Sequence, residues 1–320
     1  MTTNRTNVTN NSINRYSNMV ADTAAGALKY WGEDYNVIKK KMYIENPNDY
    51  YGSTTPVEIS GLYALSPENQ SECFGTCTER YKIVQNQDVA DIVDSMPIKG
   101  ATMVFTGSKN GTRMLVAKMN DISIGDNDGN STYLNFMWSH DGKSSVSCFP
   151  SSIRATCQNA GPSMMAMAKN NNQLVRFKHI GDVDAKLDAA REAMALYTDA
   201  EAQYLSAASL LRSSPVNGES IASYYKTVYN KLFTAPSNPS EEEAQKAVFK
   251  SWYKTLNHEI DILGSEPNLW LVFNSVSKSL QRMNGIRGRA ASVNSKINSL
   301  FIGKDNDKTT TAFQLALQAV

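Results

Sequence analysis

The sequence predicts an α+β protein: an antiparallel β-meander flanked by helices in the N-terminal half, and an α-helical C-terminal half. Three observations predict it. Short runs rich in branched and aromatic residues alternate with turn signals up to about residue 181. Apolar residues then recur at spacings of three and four. The composition is globular, with 41% hydrophobic and 20% charged residues in 320. Read as domains, residues 1–30 form a flexible arm, 31–181 the sheet core and 182–320 the helical region.

The arm is expected because MTTNRTNVTNNSINRYSN holds six asparagines and no apolar core of a secretory signal. SGLYALS and ERYKIVQN read as strands. DVADIVDSM reads as a short helix with Val89, Ile92, Val93 and Met96 on one face. ATMVFTG, then Lys109-Asn110-Gly111, then TRMLVAKM is a hairpin signal, because Asn-Gly tolerates the positive φ of a tight turn. GDNDGN is a second turn before STYLNFMWS, and His140-Asp141-Gly142 a third before SSVSCF. SMMAMAKNN reads as a helix.

Beyond residue 181, Val183, Leu187, Ala190, Met194, Tyr197, Tyr204, Ala208 and Leu211 mark one long amphipathic helix. IASYYKTVYNKLF is another. Ser240-Glu241-Glu242-Glu243 reads as a capping-box start for a helix to about Leu263. Pro267 can open NLWLVFNSVSKSLQRM, and TTTAFQLALQAV ends the chain as a helix.

Net charge is +1, but its distribution is uneven. No acid interrupts Lys99, Lys109, Arg113 and Lys118 between residues 95 and 120. None interrupts Lys143, Arg154, Lys169, Arg176 and Lys178 between 142 and 181, nor Lys278, Arg282, Arg287, Arg289 and Lys296 between 267 and 303. If these stretches meet, they make one cationic face able to neutralise phosphates. Phe105, Tyr133, Phe136, Trp138 and Phe177 lie among them; exposed, they could stack on unpaired bases, but alternating aromatics in strands usually point into a core.

Catalytic signatures are missing from the sequence. Gly107 to Arg113 has the wrong spacing for a phosphate-binding loop, and no GxGxxG or HExxH occurs. Cys73 and Cys77 could ligate a metal or pair with each other, but a second cysteine pair of zinc spacing is lacking. Cys157 with His179 reads more simply as a buried thiol than as a nucleophile and base. No enzyme, cofactor or metal is expected, nor a membrane span, and reduced thiols fit a cytoplasmic protein.

ERYKIVQNQDVADIVD, WSHDG, SSIRATCQN, VRFKHIGDVDAKLDAA and WLVFNSVSKSL followed by INSLFIG occur in an order that resembles the phage- and plasmid-borne family known as domain of unknown function 932. The resemblance covers residues 78 to 320 and implies a mobile-element setting in a bacterial host. CQNAG departs from the family's threonine-bearing segment, and residues 30 to 60 match no part of it. The order helix, three-stranded meander, helix also resembles the core of the RecT/Beta-type single-strand annealing proteins. That analogy puts Arg154 and Asn159 in a basic groove with Cys157 beneath.

The expected function is therefore non-enzymatic nucleic-acid binding, with single-stranded DNA as partner and strand annealing and homo-oligomerisation as further expectations. The expected contacts are Lys109, Arg113, Lys118, Trp138, His140, Lys143, Arg154, Asn159, Arg176, Lys178 and His179. The alternative is a protein-interaction module acting on a host factor through its long helices.

Overall fold

The turns organise the larger sheet. In the computed structural model, which describes residues 20–45, 56–105, 111–142, 146–154, 160–161, 175–177, 183–233, 235–283 and 304–320, each strand of the meander pairs with the next. β4 (Ala101–Phe105), β5 (Thr112–Ser123), β6 (Gly129–Ser139) and β7 (Val146–Arg154) follow one another antiparallel. β8 (Ala160–Gly161) and β9 (Val175–Phe177) both pair with β7. The middle strands are buried on both faces. Leu115, Ala117, Leu134, Phe136 and Trp138 join the main core, while Met114, Val116, Tyr133, Asn135 and Phe149 are buried on the other side. Their near-continuous burial explains why apolar and polar residues do not alternate cleanly.

A second sheet precedes it: β1 (Val37–Ile44), β2 (Val57–Pro67) and β3 (Gly75–Thr78), antiparallel and in sequence order. SGLYALS lies within β2. ERYKIVQN is not a strand, although its residues favour one. Gln85 and Asp88 form a capping box that starts α2 (Asn86–Asp94). The Gln85 amide also accepts from the Val37 N–H at 2.8 Å and donates to the Val37 carbonyl at 3.0 Å. A side chain here completes the hydrogen bonding of the start of β1.

The segment expected as a flexible arm contains a helix, α1 (Ala24–Trp31). Ala24, Ala27 and Leu28 are fully buried against α2 and β4. An eight-residue helix is marginal alone, but burying Leu28 contributes about 2 kcal/mol. Thr23 caps it, and Asp94 accepts from the Ala24 and Ala25 N–H groups.

The helical half comprises α3 (Val183–Arg212), α4 (Gly218–Leu232), α5 (Pro239–Leu263), α6 (Leu269–Met283) and α7 (Lys304–Leu317). The small residues Ala189, Ala193, Ala200 and Ala208 give α3 a narrow face against the rest of the core. Lys186 on α3 bridges Asp88 and Asp91 of α2 at 2.8 and 2.7 Å. One core cluster runs from Ala24 to Ala316, so the change of pattern near residue 181 is not a break in the core. α5 is capped two residues before the expected Ser240: Asn238 accepts from the Glu241 N–H, and the Glu241 carboxylate accepts from Ser237. Both Pro239 and Glu241 fit the first turn of a helix capped there. The helix expected over 163–171 lies outside the described residues. No described helix is long and apolar enough to cross a membrane.

At the β6–β7 turn, Gly142 has φ +81°, and a Cβ there would stand 2.3 Å from the Thr76 carbonyl oxygen. Gly32 has φ +68° with open space around it. In urea melts Gly32→Ala is expected to cost about 1–2 kcal/mol, from backbone conformation alone. Gly142→Ala is expected to cost clearly more, because β3 must also move.

Candidate nucleic-acid interface and the polar node beneath it

Asn86, in the first turn of α2, holds three elements through one amide. Its Oδ1 accepts from Trp138 Nε1 of β6 at 2.9 Å and from His140 Nε2 at 2.8 Å. Its Nδ2 donates to the Glu33 carbonyl at 2.8 Å. An amide oxygen only accepts, so His140 carries its proton on Nε2. Burial, reinforced by the nearby Arg113 charge, lowers the His140 pKa to about 3, so the ring is neutral. It stacks on Phe74 with centroids 5.9 Å apart.

Arg113 of β5 lies beside this node and is only 1% exposed. Its Nε donates to the Glu33 carboxylate, its Nη2 to the Tyr35 hydroxyl and its Nη1 to the Thr112 carbonyl. The guanidinium sits 5.0 Å from the Phe74 ring centre. Burial raises the Glu33 carboxyl pKa against the pull of Arg113, and pushes the Tyr35 phenol up to about 12. The turn after β6 is pressed onto β3 backbone to backbone: a Cβ on Gly75 would stand 2.5 Å from the Asp141 oxygen.

Two further polar ties join the halves. Trp270 of α6 donates to the buried Asp128 carboxylate in the β5–β6 turn at 2.7 Å. Tyr197 of α3 donates to Glu201, which also accepts from Thr132 and Asn120. Burial holds the Tyr197 phenol well above its usual range, so it remains a donor.

These contacts correct part of the expected interface. Arg113, Trp138 and His140 are interior, each held by a buried partner, and are not on a cationic face. The physical reason is shared: the strands that carry them are covered on both sides. Tyr133 and Phe136 are core residues too. Lys118 pairs with Asp121 at 2.9 Å, and Lys278 is buried against Glu259 at 3.0 Å. Lys109, Lys143, Asn159, Lys178 and His179 lie outside the described residues.

Of the remaining pair, Arg154 lies opposite Asn130 and Arg176 opposite Ser147, so β7 places them at opposite ends. Seven residue steps of strand separate the two pairings by ~23 Å. Sequence reasoning missed Glu33, Tyr35 and the central role of Asn86. The QN of ERYKIVQN was a signal for Asn86; Glu33 and Tyr35 stand where no motif was legible. Cys73 is an exposed free thiol and Cys77 a buried one. No group of three or more His, Cys, Asp or Glu placed to hold a metal occurs among the described residues.

The architecture defines an α+β protein whose antiparallel meander is locked to a helical half by buried polar ties. A family model described as Domain of unknown function (DUF932) matches residues 73–301, and the chain belongs to that family. No curated protein and no solved structure matches it. The match begins after α1, Glu33 and Tyr35 and ends before α7, yet those segments complete the core around it.

Two outcomes follow from the node. Arg113→Met leaves the Glu33 carboxylate buried without its cation and is expected to cost about 3–5 kcal/mol, with Arg113→Met/Glu33→Gln recovering much of it in denaturant melts. The second concerns pH. Folded His140 titrates near 3 and an unfolded imidazole near 6.5, so between them only the unfolded chain takes the proton. Stability therefore falls as pH drops, by about 3 kcal/mol from this group at pH ~4. His140→Gln, which keeps an N–H for Asn86, is expected to show a correspondingly shallower acid limb in melts from neutral pH downward.

Proposed function

We propose that this protein is a non-enzymatic nucleic-acid-binding protein whose contact lies at one end of the larger sheet. The observation that carries this reading is register. Thr112 pairs with Ser139, Met137 with Ser147 and Val146 with Phe177. The chain therefore enters or leaves the sheet at Phe105, Gly111, Gly142, Val146 and Phe177 on a single end.

The sequence next to those points holds Lys109, Lys143, Lys178 and His179, with Asp141 as the one neighbouring acid before Asp182. Arg176, opposite Ser147, belongs to the same end. The described strand ends that flank these three stretches share one end of the sheet, which supports contact with phosphates. Arg154, at the other end of β7, falls outside this grouping. The mobile-element setting that the family resemblance implies suits a polynucleotide partner.

The test is an anisotropy titration with DNA at about 50 and about 200 mM salt, where phosphate contacts lose affinity steeply. Lys109→Glu/Lys143→Glu/Lys178→Glu is expected to weaken binding at least tenfold. It should also flatten the salt slope by about 0.9 per lost contact. Lys250→Glu/Lys254→Glu, on the exposed side of α5, is expected to leave both unchanged. Equal loss in the two variants, or no binding at low salt, would remove the proposal.

A further inference from the structure

We infer that Phe74, a core residue of the smaller sheet, is a positioning residue for the polynucleotide contact: its ring clamps Gly111 to His140 and so locks together the two points from which Lys109 and Lys143 are tethered. The inference rests on the nucleic-acid reading above and gives the smaller sheet a part in it.

The clamp is made of contacts that meet at one ring. The His140 N–H donates to the Gly111 carbonyl at 3.3 Å, which ties the start of β5 to the end of β6. The Phe74 ring stacks on the His140 imidazole, with centroids 5.9 Å apart and 27° between the planes. A Cβ on Gly111 would stand 2.8 Å from Phe74 Cγ and 3.0 Å from His140 Cβ, so ring, glycine and histidine are in close contact. Behind the ring, Phe74 packs with Val37, Leu65 and Cys77, and its N–H donates to the Leu65 carbonyl at 2.9 Å. His140 is held in turn by Asn86 of α2. The close approach of Gly75 to Asp141 braces the same turn.

Chain length turns this clamp into a constraint on charge. Lys109 lies two residues before Gly111, and Lys143 three residues after His140. Each lysine Cα therefore stays within about 11 Å of its anchor, whatever path the chain takes. With the anchors locked, the two cations are confined near each other before any phosphate arrives. Ordering a loose side chain on binding costs a factor of roughly two to ten in affinity, and a fixed anchor lowers that cost.

Two variants loosen the clamp in different ways. Phe74→Leu stays apolar but removes the ring, and Gly111→Ala drives a methyl group between ring and histidine. In anisotropy titrations with DNA at about 50 mM salt, run below the melting transition of each variant, both are expected to bind about fivefold more weakly than the parent. The salt slope is expected to stay at the parent value, because every cation is still present. Phe313→Leu removes an equally buried ring from α7 and is expected to bind as the parent does. Parent-like affinity in either folded clamp variant, or an equal loss in Phe313→Leu, would overturn the positioning role. Binding by the parent that is lost in the triple lysine variant would then leave the nucleic-acid reading standing. No binding by the parent would remove both.

Discussion

The structure depends on one buried amide. Asn86 satisfies an indole, an imidazole and a main-chain carbonyl at once, and each comes from a different part of the chain. None of these groups has access to water, so losing the amide would strand several polar atoms in an apolar interior. The neighbouring Arg113–Glu33 pair has the same character. Such interactions add less to stability than their number suggests, because desolvation offsets much of the attraction. They do penalise any packing in which β5, β6, α2 and the linker after α1 are not in register.

Burial also rearranges the meaning of charge in this molecule. The acid-free stretches looked like one population of surface cations. The fold divides them. Arg113 and Lys278 are internal, matched with Glu33, 80 residues away, and with Glu259 on the preceding helix. Lys118 is matched locally by Asp121. Counting charges along a chain cannot make this division, since the matching acids come from segments whose position only the fold defines.

How much was legible follows from the range of each signal. The meander was readable because Asn-Gly, Asp-Asn-Asp-Gly and His-Asp-Gly are local turn signals, and they separate strands that pair antiparallel in sequence order. The long helices were readable because α3 keeps its apolar spacing over thirty residues. The smaller sheet was not. Its edge strand β1 carries Lys39, Lys40 and Lys41 in succession, which hides the alternation. Lys39 and Lys40 turn their ammonium groups to main-chain oxygens of Glu79, Pro67 and Gln70, a use no pattern reveals. At the candidate site Arg113, Trp138 and His140 are buried where exposure was expected. Depth is set by what covers β5 and β6, and that is non-local information.

The contact between β3 and the turn after β6 brings backbone onto backbone. Gly75 meets Asp141, and Gly142 meets Thr76, main chain against main chain. Side chains can switch rotamer in place; peptide planes in van der Waals contact cannot slide without separating. The two sheets should therefore behave as a single rigid body on the timescale of loop motion, and amide exchange along this seam should await cooperative opening of the whole joint.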